Sequence, residues 1–291
     1  MKKNNKKKLG LSLNSGVYPL RIPLLHSKDE IVTNYGLFSG ITAGLSEMSC
    51  FAQTASFGFS PHTSHQHKGE EIIIVLSGNL NFIYSDKLSP SKTKSISIEK
   101  GQFIYFSAEI SHTLQAISKE NTNLITFLWY SWLKNTTIVP TLKYYDMLDR
   151  FEHLDVKNNF YSQLLFEIPT ASLKKFNCYI SLLPPGASCK PCSNTYDMVI
   201  IVLEGEIETI DQKAKPYDVI FYSAGQSYNI NNPGTTSARY IVFEFHSNKK
   251  ILIGKIFNIF DYYFTRLSEK GRLKRKIKKI LGFNQKQKKI K

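Results

Sequence analysis

The sequence predicts an all-β protein of two tandem antiparallel barrels followed by a basic helical tail, and three observations carry that reading. Apolar, β-branched runs of about four to eight residues recur at near-regular spacing, punctuated by Gly, Pro, Ser and Asn. No segment of helical period lies between these runs to carry the crossovers that parallel strands need. The second half of the chain also repeats the first. With 291 residues and 42% apolar content, there is enough material to bury a core in each of two domains.

Taken in order, residues 1–8 form a basic N-terminal tail, and 9–133 make up the first barrel. Ile31 to Phe38 reads as an edge strand, and Met48 to Phe59 as a strand leading into a histidine-rich loop. The run IIIVLSGNLNFIY (72–84) reads as two strands hinged at Ser77-Gly78, because β-branched residues fill both arms and turn residues mark the break. A polar loop at 85–95 precedes SISIEKGQFIYFSA, which alternates and turns at Lys100-Gly101, and NLITFLWYSW (123–132) closes the half. Residues 134–158 lose the strand rhythm, and apolar residues at helical offsets in LKYYDMLDRFEHLD predict a linker with a short helix. Residues 159–246 then make the second barrel, and 247–291 a basic amphipathic helical tail.

Charge is concentrated at the ends. Residues 2–8 hold five lysines, and 247–291 hold fifteen Lys or Arg against Asp261 and Glu269, so the ends carry +18 of a whole-chain +15 and the body sums to −3. A polyanion or anionic membrane surface is therefore a partner for the tails alone, chiefly 247–291, and nucleic acid ranks last because no recognition helix or aromatic stacking platform accompanies the basic stretch. No apolar run approaches a signal sequence or a membrane span. Cytoplasmic location, peripheral to a membrane if the tail binds one, is the expectation. The four cysteines at 50, 178, 189 and 192 are then read as thiols, with Cys189-Lys-Pro-Cys192 an inert pair lacking a second CxxC.

The stretch GFSPHTSHQHKGEEIIIVLSG, from Gly58 to Gly78, carries the chemistry. His65, His67 and Glu71 share parity, so on an unbroken strand they would face one side, and His112 from a later segment can complete the set. Imidazoles with one carboxylate suit a first-row divalent cation and leave coordination positions open. Glu70 has the opposite parity and reads as solvated or supporting; His62 reads as a loop residue.

This spacing resembles the first motif of the cupin superfamily: two histidines one residue apart, a glutamate three or four later, then six residues and a glycine. GQFIYFSAEISH resembles the second motif, with Gly101 and His112 in register, Ser107 in place of proline, Glu109 in place of glycine and Ala116 in place of asparagine. The resemblance implies jelly-roll (double-stranded β-helix) barrels and a metal held by His65, His67, Glu71 and His112. In the repeat, laying Gly205 on Gly78 sets Cys192 on His65, Asn194 on His67, Met198 on Glu71 and Tyr228 on His112. Gly186, Gly205, Gly225 and Asn232 keep the motif's turn positions, so the chain resembles a bicupin with one intact and one degenerate metal motif.

The functional expectation is a metal-dependent enzyme, with Fe, Mn, Ni, Cu or Zn as its single divalent ion, acting on a small oxygen-rich molecule by dioxygenase-type or sugar-isomerase-type chemistry. Glu70 and Glu109 lie near the motif, but no catalytic acid or base is assigned. A non-catalytic small-molecule or sugar-binding module, held at a membrane by its tail, is the alternative. Monomer and homodimer both remain open.

Overall fold

The computed structural model describes residues 12–20, 31–85, 92–147 and 160–247. Among them the alternating and fully apolar runs form strands and no helix. The first half supplies β1 (Gly16–Tyr18), β2 (Val32–Gly40), β3 (Glu47–Ala55), β4 (Glu70–Ser77), β5 (Asn79–Ser85), β6 (Lys94–Glu99), β7 (Gln102–Phe106), β8 (Ser111–Ala116) and β9 (Thr122–Tyr130). The second supplies β10 (Leu142–Asp146), β11 (Tyr161–Ile168), β12 (Leu173–Leu183), β13 (Ser188–Ser193), β14 (Asp197–Glu204), β15 (Ile207–Thr209), β16 (Gln212–Ala214), β17 (Val219–Tyr222), β18 (Ser227–Asn231) and β19 (Ala238–Ser247). The tails read at 1–8 and in the sequence beyond 247 lie outside the described residues.

Two six-stranded sheets, in the orders β10-β7-β4-β9-β3-β2 and β1-β17-β14-β19-β12-β11, share one topology. Each is completed by a smaller sheet, β6-β5-β8 in one half and β13-β18-β15-β16 in the other. The continuous apolar runs of β4 and β14 follow from burial on both faces. Ile73 and Val75 join the interior of the first barrel with Leu80, Phe82 and Phe106, whereas Ile72 and Ile74 face a common core with Phe176, Val199, Phe243 and Phe245 from the other sheet. Met198, Ile200 and Val202 fill the interior of the second barrel. One hydrophobic core therefore lies between the two large sheets, in addition to one inside each barrel.

The halves also exchange strands. β1 pairs antiparallel with β17 of the second barrel, and β10 pairs with β7 of the first. Leu142–Asp146 is thus a strand, where the sequence suggested a connecting helix; the rest of that helical reading from 148 to 155 lies outside the described residues. Tertiary packing decides the point, because Tyr145 stacks on Phe103 at 5.0 Å and on Phe166 at 4.6 Å. Ser107, where the cupin motif has proline, has a use here that proline could not fill. Its N–H and its hydroxyl both donate to the Thr141 carbonyl, and its Oγ accepts from Thr141 N at 2.7 Å, which latches the incoming β10. Ser223, its counterpart, does the same for β1: Ser223 N donates to Ser15 Oγ at 2.9 Å.

Two buried carboxylates tie the halves together. Glu70 is 0% exposed. It accepts from Tyr105 OH and Ala171 N at Oε1, and from Trp129 Nε1, Thr170 Oγ1 and Ser172 N at Oε2. The solvated or supporting role suggested by parity is therefore wrong: the side chain points away from the histidines into the inter-barrel core, where strand β4 meets the 170–172 turn. Asp197, its counterpart in the repeat, accepts from Thr42 Oγ1 and Ala224 N. Gly44, beside Thr42, is needed for this approach, since a Cβ there would lie 2.7 Å from the Ser247 side chain.

The turns survive substitution. Gly101 and Gly225 have φ of 81° and 87°, and their repeat partners Tyr217 and Glu109 hold φ of 74° and 75°, so each half keeps one left-handed turn without glycine. That conformation costs a side-chain-bearing residue about 1–2 kcal/mol. Glu109→Gly should accordingly raise the melting temperature, by about 2–4 °C for ~1 kcal/mol; a fall on thermal denaturation would show that the turn carries no strain. Glu70→Gln sets an NH₂ against the two donors at Oε1 or the three at Oε2 and should cost about 3 kcal/mol, or ~6–12 °C. An unchanged melting temperature would remove Glu70 as the inter-barrel tie.

Candidate metal centre

His65 and His67 do not sit on a strand, unlike His112 on β8. β3 ends at Ala55 and β4 begins at Glu70, so His65 and His67 lie on the intervening loop rather than sharing a strand face with Glu71. The loop is held by a two-way backbone bridge, with His65 N donating to His112 O and His112 N to His65 O, both at 3.0 Å. The bridge sets the two imidazoles side by side, their centroids 4.7 Å apart. Glu109 N donates to His67 O at 3.3 Å from the other edge of the loop. Gly69 lets the chain enter β4 tightly, since a Cβ there would lie 2.7 Å from Leu128.

Each imidazole is then oriented by its own backbone. Nδ1 of His67 contacts the Gly69 carbonyl at 2.9 Å, Nδ1 of His112 contacts that of Ile110 at 3.1 Å, and Nδ1 of both His62 and His65 contacts Thr63 O at 3.1 Å. A carbonyl only accepts, so Nδ1 donates in every ring and Nε2 is left as the ligand atom; His67 Nε2 faces a carboxylate, which also only accepts, so it must release a proton before it can hold a cation. His67 Nε2 lies 2.5 Å from Glu71 Oε2, and His112 Nε2 lies 3.8 Å from the same oxygen. His112 is 1% exposed and its Nε2 has no hydrogen-bond partner among the described residues. Phe82 and Phe106 wall it on the barrel side, at 5.6 and 4.5 Å between ring centroids.

The ligand atoms of His67, Glu71 and His112 lie within 4.8 Å of one another, close enough to hold one ion. His65 forms a second such group with His62 and His112, sharing the last imidazole. Three of the four residues singled out by sequence therefore converge directly, and the fourth stands one ring away with its centroid 5.6 Å from that of His67. His62, read from the sequence as a loop residue, does lie on the loop and adjoins the cluster. Its ring packs edge-on against His65 at 4.3 Å. The only hint in the sequence was its place three residues before His65. Lys134 was missed, because it lies in a loop after β9: Nζ donates to Lys68 O at 2.7 Å and sits 5.3 Å from the Tyr130 ring centroid.

Burial and charge separate the imidazoles. Burial lowers the pKa of His112 to about 4, so it is neutral at pH 7. Burial also lowers that of His62. In His67 burial works the same way but is outweighed by the Glu71 carboxylate, and the pKa rises above its ordinary value.

In the second barrel the counterparts meet in the same register. Cys192 pairs with Tyr228 as His65 pairs with His112. Asn194 Nδ2 donates to Tyr228 OH at 2.7 Å and approaches Met198 Sδ at 3.8 Å, so the positions converge with a changed chemistry. Cys50 and Cys178 are thiols buried in the shared core, where desolvation pushes their pKa up and keeps them unreactive.

Residues 57–129 match the cupin domain family. Among solved structures the chain is similar to the pirin YhhW of Escherichia coli, solved in complex with nickel(II), at 14% identity and a TM-score of 0.55, covering 80% of this chain and 96% of that one. It is also similar to a cupin 2 conserved barrel domain protein from Leptotrichia buccalis (14% identity, 76% and 92% covered, TM-score 0.54). A third likeness is to the oxalate decarboxylase of Lactobacillus farciminis (13% identity, 83% and 87% covered, TM-score 0.51). No curated protein sequence matches. Two antiparallel barrels, with a histidine and glutamate cluster in the first, give the chain the fold of these structures. The cupin family match itself covers residues 57–129, within the first barrel.

Protons and a cation compete for the same Nε2 atoms. Since His67 holds its proton above the ordinary histidine range and His112 yields its own until about pH 4, zinc affinity should fall about tenfold per unit as the pH drops through His67's pKa. Calorimetric titrations between about pH 5 and 8 check this; an affinity that is flat over that window would exclude His67 from the site.

Proposed function

We propose that the first barrel binds one divalent transition metal through His67, Glu71 and His112, with His65 drawn in as the further ligand, and that the protein is a metal-dependent enzyme. The observation that carries this is the buried, unpartnered Nε2 of His112, aimed at the carboxylate that also holds His67 Nε2. An unmet buried nitrogen costs about 1–3 kcal/mol, and it is retained where it has a use. The Nδ1 tethers of His65, His67 and His112 support the same reading, because they fix the rings so that each Nε2 can serve as ligand without the ring turning, once His67 Nε2 gives up its proton.

A divalent ion bound there supplies Lewis-acid polarisation of a hydroxyl, carbonyl or carboxylate oxygen. The chain's own residues shape what reaches that point. Phe82 and Phe106 exclude water on the barrel side, and Lys134, whose charge acts on His67, favours an anionic oxygen at the mouth. A small oxygen-rich substrate fits, with oxidation of dioxygenase type or isomerisation as the reaction class. Nickel, already among the expected ions, is the one bound in a pirin of similar fold.

Elemental analysis of the purified full chain, before and after incubation with Fe(II), Mn(II), Ni(II), Cu(II) and Zn(II), tests the reading. Near-stoichiometric metal in the wild type, lost in His67→Ala and His112→Ala, is expected. A folded wild type that retains none of these ions overturns it.

A further inference from the structure

The second barrel has lost its metal ligands and encloses a hydrophobic core, but one row of its inner face keeps polar groups. Across β12, β19, β14 and β17, the pairings Asn177↔Glu244, Glu244↔Met198 and Met198↔Tyr222 line up four side chains on the barrel's inner face. The corresponding row in the first barrel is Ser49, Leu128, Glu71 and Phe106. The carboxylate has thus moved one strand over, from the β4 position to the β19 position. Polar residues gather around it there. Tyr196 OH donates to Glu244 Oε1 at 2.8 Å, and Asn177 Nδ2 and His246 Nε2 both contact Oε2 at 2.9 Å. The rings of Tyr196 and His246 lie 3.9 Å apart. Tyr196 occupies the repeat position of Gly69, so an aromatic face stands where the first barrel allows no side chain.

Asn177 points to a ligand. It is 1% exposed, its Nδ2 donates to Glu244 and to Tyr179 OH at 3.2 Å, and its Oδ1 has no partner among the described residues. Flipping the amide would not cure this, since the oxygen would then face the Glu244 carboxylate, which also only accepts. A buried acceptor is left wanting a donor, beside a Tyr179 hydroxyl that accepts from Asn177 and keeps its own O–H to give. One edge thus asks for a group that both donates and accepts, next to the Tyr196 and His246 rings. A hydroxyl does both. An ammonium only donates, and Glu244, already met by three donors, does not require a cation.

We propose that the second barrel is a separate binding site for a small, neutral polyhydroxylated molecule of sugar or cyclitol type, with Asn177 and Tyr179 reading a hydroxyl pair and Tyr196 and His246 giving its apolar face a wall. This site does not depend on metal in the first barrel.

Saturation-transfer NMR and calorimetry on the full chain test it, with D-galactose, L-arabinose and myo-inositol as probes and choline as the cationic control. At least one neutral probe should bind, about tenfold more weakly in Asn177→Leu and in the half-exposed Tyr196→Leu, and equally well in His112→Ala. Tyr196→Leu keeps the test open should Asn177→Leu fail to fold. Binding of choline alone, binding of none of the probes, or affinity that falls with His112→Ala but not with Tyr196→Leu overturns the proposal. Loss of metal without loss of polyol binding would fault the first-barrel reading and leave this one standing.

Discussion

The fold depends on a carboxylate that never sees water. Glu70 sits at the centre of the inter-barrel core with five donors around it, three of them from the opposite half at Thr170, Ala171 and Ser172. A buried charge is tolerable only when its lone pairs are met, so the residues that meet them must be held in place. Asp197 imposes the same condition from the other side through Thr42. Two reciprocal ties of this kind fix the large sheets face to face, and the exchanged strands β1 and β10 make separation of the halves costlier still. The metal centre inherits that rigidity, because Glu71 follows Glu70 directly and the 58–69 loop hangs between β3 and β4.

Neighbouring residues on one strand thus serve opposite duties. Glu70 faces the core between the barrels and is spent on architecture; Glu71 faces the barrel interior and is left to His67 and His112. Parity alone separates them correctly, but cannot say what lies on the far side of the sheet. A single barrel would have exposed Glu70. Only the presence of a second, packed against β4, turns the same side chain into a tie.

Much was legible from the sequence where the signal is local. The strand hinge at Ser77-Gly78, the turn at Lys100-Gly101 and the repeat register all appear in the structure, the last in the matching antiparallel pairings His65 with His112 and Cys192 with Tyr228. His67, Glu71 and His112 converge because short-range spacing and one backbone bridge suffice to bring them together. What failed depends on distant partners. Helical offsets in LKYYD gave way to β10 because Phe103 and Phe166 receive Tyr145, and neither is nearby in the chain. The one-faced strand through His65, His67 and Glu71 gave way to a loop because Gly69 turns the chain between them.

The two halves also show which part of the fold the backbone guards. At the turns, Glu109 and Tyr217 keep left-handed φ values that side chains resist, so conformation has outlasted the residue type that made it easy. At the ligand positions the reverse holds, since register is kept while every side chain has changed. Those two facts have one explanation. The turns set the strand register that both cores and both carboxylate ties require, whereas the inner faces of the barrel mouths support nothing beyond themselves. A mouth could therefore trade three imidazoles for a thiol, an amide and a phenol, put a thioether in place of its carboxylate on β14 and set a carboxylate on β19, without disturbing Asp197 on the other face. Chemistry at one barrel mouth is uncoupled from the packing that joins the barrels, which is how one chain can carry two sites of different character on the same scaffold.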